Sequence, residues 1–397
     1  MSRVLILSSA SPIPVIDGAA IGVFQKLTLF SSLGYEVDCA YIESKKVQRK
    51  AHSEDLSKYC KNVFRFSFNK RKAYLNVFCG LFTNRKPLQV NYFYSKDIQK
   101  WIDSNIQNYD LVWCMEIRMS EYVKKYPEKV IMDYIDCISE NCRISVNNSK
   151  GLWKVMNFID SRRCRRYEKL IAPCFETRVA ITEHDKKCIF PNDEYECNVL
   201  PNYVDIDKNK YIDQDNTDKR IVFIGSMFYA PNVVAALYFA HHVFPLIIQE
   251  DPEVKFYIVG NRPAKELLEL QSDNIIVTGF VEDVWEYLKR ASVIVVPMQT
   301  GSGLQNKILE GLSVKGCVVT TKVCSGGLVK AEGMPFVADT AEEMCDQILR
   351  LIRDKQLRVK VGESSFRYVC DNYSFEVVAH KLDEILKRSH ISNLSIS

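Results

Sequence analysis

The sequence predicts an α/β protein made of two Rossmann-like, doubly wound domains facing each other across a cleft. Three observations lead there. Short apolar runs alternate with segments of helical period along nearly the whole chain, as parallel strands and crossover helices do. The pattern restarts after residue 217, beyond a polar Asp/Asn/Lys-rich stretch from Asn202 to Lys219 that reads as a linker. The 397 residues also exceed one ordinary core and suggest two domains of about 200 residues each.

In the first domain (1–201), "RVLILSS" is a strand buried on both faces. The loop "ASPIPVIDGAAIG" and a helix from Val23 to Leu33 follow, with Gly34 as its stop. "YEVDCAYIE", "YDLVWCME", "KVIMDYID" and "TRVAITE" read as later strands. After the linker (202–219), the second domain (220–373) opens with the strand "RIVFIGS" and one helix, "NVVAALYFAHHVFPLIIQE". The strands "VKFYIVG", "NIIVTG", "SVIVVPM" and "KGCVVTT" come next. In such sheets ligands bind beyond the carboxyl ends of the strands, where the strand order reverses.

Composition narrows the class. Apolar residues make up 47% and charged residues 26%, the profile of a globular enzyme. No uninterrupted apolar run approaches the roughly 20 residues of a membrane span. Val4 to Leu7 lacks the features of a signal peptide. The 14 cysteines contain no CxxC pair, which argues against zinc and a disulfide framework and fits a reducing cytosol. A net charge of +4 does not imply nucleic acid. Two basic clusters, Lys45/Lys46/Arg49/Lys50 and Arg162/Arg163/Arg165/Arg166/Lys169, read either as solvated helix faces or as approach surfaces for anionic lipid.

The most informative segment is "VIVVPMQTGSGLQNKILEGLSVKGCVVTT", residues 293–321. A strand ends at Pro297, and Gly301, Ser302 and Gly303 lead into a helix from about Leu304. Such a turn lets backbone N–H groups approach an anion at the helix N-terminus. Lys307 and Glu310 share one helix face. They read either as a surface ion pair or as a cation for phosphates beside a carboxylate for ribose hydroxyls.

This segment resembles the C-terminal signature of the retaining group 1 glycosyltransferases of the GT-B fold, in the branch with a "GSG…KILE" loop and helix. "VLPNYVD", "FIGSMFYAPNVVAALYF", "FYIVGNRP", "VTGFVEDVWEYL" and "YSFEVVAHKLDEIL" are similar to other elements of that family, in the family's order. The resemblance implies that a helix at about 374–390 packs back on the first domain. It also implies roles: Glu310 holds the donor ribose, while Lys307 and the Gly301–Ser302–Gly303–Leu304 turn bind the diphosphate. Gly279, Phe280 and Val281 would line the base pocket, and Gly225 with Ser226 the floor beneath the diphosphate. Three positions depart from the family pattern: Ser302 replaces an acid, Ser226 an arginine and Gln305 an arginine. The diphosphate site is therefore short of one cation, which Arg262 or Arg118 would supply.

In the first domain, "PVIDGAAIGVFQKLTLF" resembles the family's loop over the sugar phosphates, with Gly18, Ala19 and Ala20 leaving room for a close approach. A plain strand-to-helix turn is the other reading. "IRMSEY" and "DYIDCIS" resemble a second signature, which implies that Arg118 steadies the leaving diphosphate or the acceptor. Asp136 is the acceptor-side candidate, Asp133 caps or bridges, and Ser139 caps the following helix. His184 is assigned a structural role near the hinge. His241 and His242 are adjacent, which does not suit a metal site, and no DxD stands at a strand end.

The resemblance thus implies a transferase with an NDP-sugar donor, retention of configuration, no essential metal or cofactor, and no protein nucleophile. Arg118, Lys307 and Glu310 form its catalytic set. The implied acceptor is a glycan or a polyprenyl-diphosphate-linked glycan in bacterial surface polysaccharide synthesis, made in the cytoplasm with peripheral membrane contact. A catalytically inactive GT-B-like scaffold, or a sugar-nucleotide epimerase, are the alternatives.

Overall fold

Fully apolar strands need cover on both faces, and the computed structural model supplies it twice. It describes residues 2–15, 18–43, 56–206, 218–301 and 303–389. The chain divides into two units, Met1–Asn202 with Ala379–Ser397, and Tyr203–Val378. Most of the expected linker, 207–217, lies outside the described residues. The terminal helix, Phe375–Arg388, belongs to the first unit from Ala379 onward.

In the first unit seven parallel strands run in the order β3-β2-β1-β4-β5-β6-β7. They are β1 (Arg3–Ser8), β2 (Glu36–Glu43), β3 (Asn62–Ser67), β4 (Leu111–Met115), β5 (Val130–Asp133), β6 (Thr177–Ala180) and β7 (Asn198–Val199). Val4 to Leu7 have no exposed surface, as a strand covered by helices on both faces requires. Gly34, at φ +82°, ends the Gly18–Ser32 helix. At the amino edge of the sheet a buried carboxylate ties three strands to the segment before β4. Asp38 accepts from Arg3 at 3.1 Å, Tyr109 Oη at 2.9 Å and the Asn62 backbone and side-chain amides at 3.0 Å. That carboxylate thus meets one guanidinium and three neutral donors, the condition under which a buried charge is tolerated.

The second unit holds six parallel strands in the order β10-β9-β8-β11-β12-β13. They are β8 (Arg220–Ile224), β9 (Lys255–Val259), β10 (Ile275–Gly279), β11 (Val293–Val296), β12 (Val318–Thr320) and β13 (Phe336–Val337). In each sheet the strand order reverses beside the unit's first strand, between β1 and β4 and between β8 and β11. The doubly wound α/β architecture expected from the sequence is present in both.

The helix expected over residues 232–250 is not uniform. It runs as an α-helix over Ala230–Tyr238, as a π turn over Phe239–Val243 and as an α-helix again over Phe244–Glu250. Pro245 has no N–H for an α-type bond to the fourth residue before it, and a π turn absorbs such a defect. The 21 residues Ala230–Glu250 have a mean hydropathy of 1.4 over their most apolar window, enough by length and composition to cross a membrane. Here the helix packs Ala235, Ala236, Phe239, Val243 and Ile247 into the core of the second unit.

The ends of β8 and β9 meet where neither residue has a side chain. A Cβ on Gly260 would lie 1.7 Å from the carbonyl oxygen of Gly225. Gly260→Ala is therefore expected to destabilise the second unit by about 2 kcal/mol or more, the scale of severe overpacking. Gly326→Ala, at φ −62° with its nearest atom at 3.7 Å, should stay within about 0.5 kcal/mol of the parent. Urea midpoints of the two variants check this.

Candidate functional site

In the second unit the switch between β8 and β11 gathers the turn after each strand. Gly225 closes β8, and a Cβ there would meet the Asn232 amide at 2.7 Å. The missing side chain admits Asn232, buried in the first turn of the Ala230–Tyr238 helix. Asn232 Nδ2 donates to the Ser226 carbonyl at 3.1 Å. Its Oδ1 accepts from Lys307 Nζ at 2.8 Å. Lys307 stands in the first turn of the Asn306–Ser313 helix and reaches Met298 Sδ at 3.7 Å, with the Phe223 ring 5.6 Å from its ammonium.

Burial lowers the Lys307 pKa to about 8 against the attraction of Cys324 and Glu310, because a desolvated ammonium is disfavoured. Burial likewise raises Glu310, with Lys307 pulling the other way. Lys307 and Glu310 form no direct ion pair among the described residues, so the surface-pair reading does not hold. No described residue hydrogen-bonds the Glu310 carboxylate. A cation and a carboxylate on one helix face are thus not paired with each other among the described residues.

The other expected residues line the same sheet edge. The helix begins at Asn306 rather than Leu304, which leaves Leu304 in the turn, partly buried against the core. Gly303, at φ +75°, adopts a backbone conformation that a side chain would strain. Gly301 precedes it, while Ser302 lies outside the described residues. Ser226 Oγ donates to Asn261 Oδ1 at 3.1 Å, joining the turns after β8 and β9. Arg262 follows Asn261, at φ +48°, with its guanidinium 5.1 Å from the Phe228 ring centre. No carboxylate pairs with it among the described residues, so its charge is available. Gly279 ends β10 at φ +70°, beside a Phe280 that is 75% exposed and a half-buried Val281. From β10 to β11 is three strand spacings, roughly 14 Å, so one ligand extended along the edge would touch both turns.

In the first unit the corresponding edge is acidic. Glu116, at φ +64° just past β4, accepts from Ser9 Oγ beyond β1 and from Arg118 Nη1 at 3.0 Å on both oxygens. Arg118 Nε donates to Gln89 Oε1 at 2.8 Å, and its guanidinium lies 5.5 Å from the Phe93 ring centre. Arg118 is therefore at the switch point but already paired with Glu116. Asp133 accepts from Trp113 Nε1 and the Ile135 amide, each at 2.9 Å, and faces buried Lys26 at 3.9 Å. Its role is bridging. Burial dominates the rise in its pKa and the fall in that of Lys26.

No described group hydrogen-bonds the Asp136 carboxyl. Burial, then Asp185, Glu116 and Asp133, push it up to about 8, and Arg118 opposes them. A carboxylic acid that holds its proton near neutral pH can donate as well as accept.

Several expectations fall elsewhere. Ser139 does not cap its helix. The Ile138–Asn148 helix has Cys137 at the cap position, and Glu168 accepts the Ser139 N–H at 2.9 Å, doing the work of a cap from a neighbouring helix. Gly18 and Ala19 begin the Gly18–Ser32 helix and are exposed, with nothing within 4 Å of a Cβ on Gly18. His184 approaches Cys188 at 3.5 Å, and His241 and His242 are exposed. The cluster Lys45/Lys46/Arg49/Lys50 lies outside the described residues. All 14 cysteines are free thiols. Cys142, Asp160 and Cys164 bring ligand-type atoms within 4.8 Å of one another, but Gln89 Nε2 already donates to all three. Sequence reasoning missed Asn232, Glu116, Gln89 and Lys26. Only Asn232, just after the "FIGS" strand end, carried a local signal.

Residues 218–354, within the second unit, match the family model for glycosyl transferases group 1. An uncharacterized 44.6 kDa protein in the cps region of Klebsiella pneumoniae is 22% identical, over 95% of this chain and 98% of that protein. Sucrose-phosphate synthase from Thermosynechococcus elongatus superposes with a TM-score of 0.72 at 11% identity, covering 98% of this chain and 99% of the other. HepE from Anabaena, solved with UDP and glucose, gives 0.64 at 11% identity, covering 97% and 99%. The fold is that of the GT-B glycosyltransferases.

Asp136 makes the first unit sensitive to pH. Its carboxyl titrates near 3.8 in an unfolded chain and at about 8 when folded. The folded state therefore holds an extra proton across that window, so stability falls progressively as pH rises from about 4 to about 8 and levels off above it. Asp136→Asn is expected to leave the melting temperature unchanged below about pH 4 and to raise it progressively relative to the parent up to about pH 8. Thermal unfolding followed across that pH range checks it.

Proposed function

We propose, starting from the match to glycosyl transferases group 1 and the GT-B fold, that this chain transfers a sugar from a nucleoside-diphosphate sugar to an acceptor hydroxyl with retention of configuration. The observation that carries the reading is the pair Lys307 and Glu310. Both are half-buried and unpaired with each other, at the switch point of the second sheet. Glu310 accepts hydrogen bonds from the two ribose hydroxyls, and the turn after β10 takes the base. Lys307, the amides of the 301–303 turn and Arg262 take the diphosphate. Charge that grows on the departing diphosphate meets a fixed ammonium in a partly dry site, where such stabilisation is strongest.

In the first unit, Asp136 and Arg118 serve the acceptor side. No protein nucleophile or essential metal is assigned. The UDP bound by HepE makes uracil the first base to try. The cps-region relative points to a glycan or lipid-linked glycan acceptor in surface polysaccharide synthesis on the cytoplasmic side of a bacterial membrane.

A panel of nucleoside diphosphates and their sugars, read by thermal shift, should give stabilisation by one base. Glu310→Gln should weaken that nucleotide by about tenfold to a hundredfold, the loss of charge-assisted hydrogen bonds worth about 1.5–3 kcal/mol. If no nucleotide stabilises the protein, the catalytically inactive scaffold becomes the better reading.

Diphosphate affinity should also fall as pH rises through about 8, where Lys307 loses its charge. Lys307→Met should bind weakly at every pH and lack that inflection. Calorimetric titrations on both sides of pH 8 check it.

A further inference from the structure

The Lys70–Thr83 helix of the first unit is built in reverse for a helix that faces water. Its inward face is small: Ala73, Val77 and Gly80 are the buried residues. At Gly80 the helix lies so close to the Leu88–Phe93 helix that a Cβ would fall 2.5 Å from the Asn91 amide. The large apolar side chains point outward. Tyr74 is 57% exposed, Leu75 60%, Phe78 61% and Phe82 78%. Phe78 and Phe82 pair edge to face at 5.4 Å, with no cover of their own. An ordinary surface helix buries its large apolar residues and exposes its polar ones.

Charge is equally one-sided. Lys70, Arg71 and Lys72 fill the first turn with no acidic residue beside them, against the preference of a helix N-terminus for anions. Arg85 follows the helix, and no Asp or Glu occurs from Leu56 to Lys96, although the chain has 49 acidic residues. The Gly151–Ile171 helix repeats the pattern at its start, where Leu152 is 73% and Trp153 64% exposed between Lys150 and Lys154. Arg163 of that helix donates to the carbonyls of Gly80 at 3.1 Å and Leu81 at 3.0 Å. This locks the two helices together and commits one member of its basic cluster to structure.

We infer that the outward face of Lys70–Thr83 docks on an anionic lipid bilayer. Phe78, Phe82, Leu75 and Tyr74 enter the interface, and Lys70, Arg71, Lys72 and Arg85 meet headgroup phosphates. A nucleic acid would engage the cations and leave a row of Leu and Phe in water. A purely apolar partner would leave the cations unpaired. A bilayer surface uses both together. The inference goes beyond the donor-site reading and does not depend on it.

The test is co-sedimentation of the full chain with vesicles of phosphatidylcholine alone and of phosphatidylcholine mixed with phosphatidylglycerol, at low and high salt. The parent should bind the mixed vesicles at low salt and release partly at high salt. Phe78→Ser/Phe82→Ser and Lys70→Glu/Arg71→Glu/Lys72→Glu should each bind at least about tenfold more weakly, with unchanged unfolding midpoints. Leu268→Ser, an exposed apolar position in the second unit, should bind like the parent. Equal binding by parent and helix variants, or no binding by the parent, would overturn the inference. So would a parent dimer in solution that the Phe78/Phe82 variant makes monomeric, which would assign the face to a second copy of the chain.

Discussion

Two missing side chains hold the second unit's site in place. Because Gly260 has no Cβ, the Gly225 carbonyl can pass it. Because Gly225 has none, the Asn232 amide can fold under the strand end and fix Lys307. An ammonium drawn out of water needs an oxygen at the right distance, and Asn232 supplies one without supplying a charge. A carboxylate at that position would have neutralised Lys307 and closed it to an anionic ligand. The neutral amide leaves the positive charge unspent, and the glycine contact at the ends of β8 and β9 makes room for it.

The first unit shows the same economy at opposite edges of one sheet. At its amino edge Asp38 meets donors from Arg3, Asn62 and Tyr109, a closed network that stabilises. At its carboxyl edge Glu116, Asp133 and Asp136 crowd together, and Arg118 and Lys26 do not satisfy them all. Unfavourable like-charge proximity persists where something other than stability is selected. The conformational cost is visible too, in the left-handed backbone of Glu116 and Ile135.

The fold was legible because its signals are local. "RVLILSS", "RIVFIGS" and "SVIVVPM" are short apolar runs ending in small or turn-forming residues, and each is a strand beside a switch point. Gly34 as a helix stop and the need for glycine at Gly303 could be read from residue type alone. What escaped reading depends on partners distant in sequence. Lys307 and Asn232 are 75 residues apart, and Arg118 meets Gln89 across 29. Ser139 looked like a helix cap because its residue type favours caps, yet Glu168 from another helix satisfies the amide at that turn. The outward aromatic face of Lys70–Thr83 also escaped, since a row of Tyr, Leu and Phe reads as core until the direction of its neighbours is known.

The π turn at Phe239–Val243 has a consequence for the spacing of the core. Buried positions there recur every four residues, at Asn232, Ala236, Ala240 and Phe244, and again at Ala235, Phe239, Val243 and Ile247. In an unbroken α-helix three such steps would rotate the series about 120° away from the face where it began. The one extra residue in the π turn takes back about 100° of that rotation, so the stripe stays in register with the sheet it covers. A strict four-residue period in an apolar helix, with a proline just beyond the second half-turn, is thus the phase signature of an accommodated insertion. Deleting one residue from this turn would return it to ordinary α-helix and leave Phe244 and Ile247 on the core, whereas a second insertion would rephase everything after it.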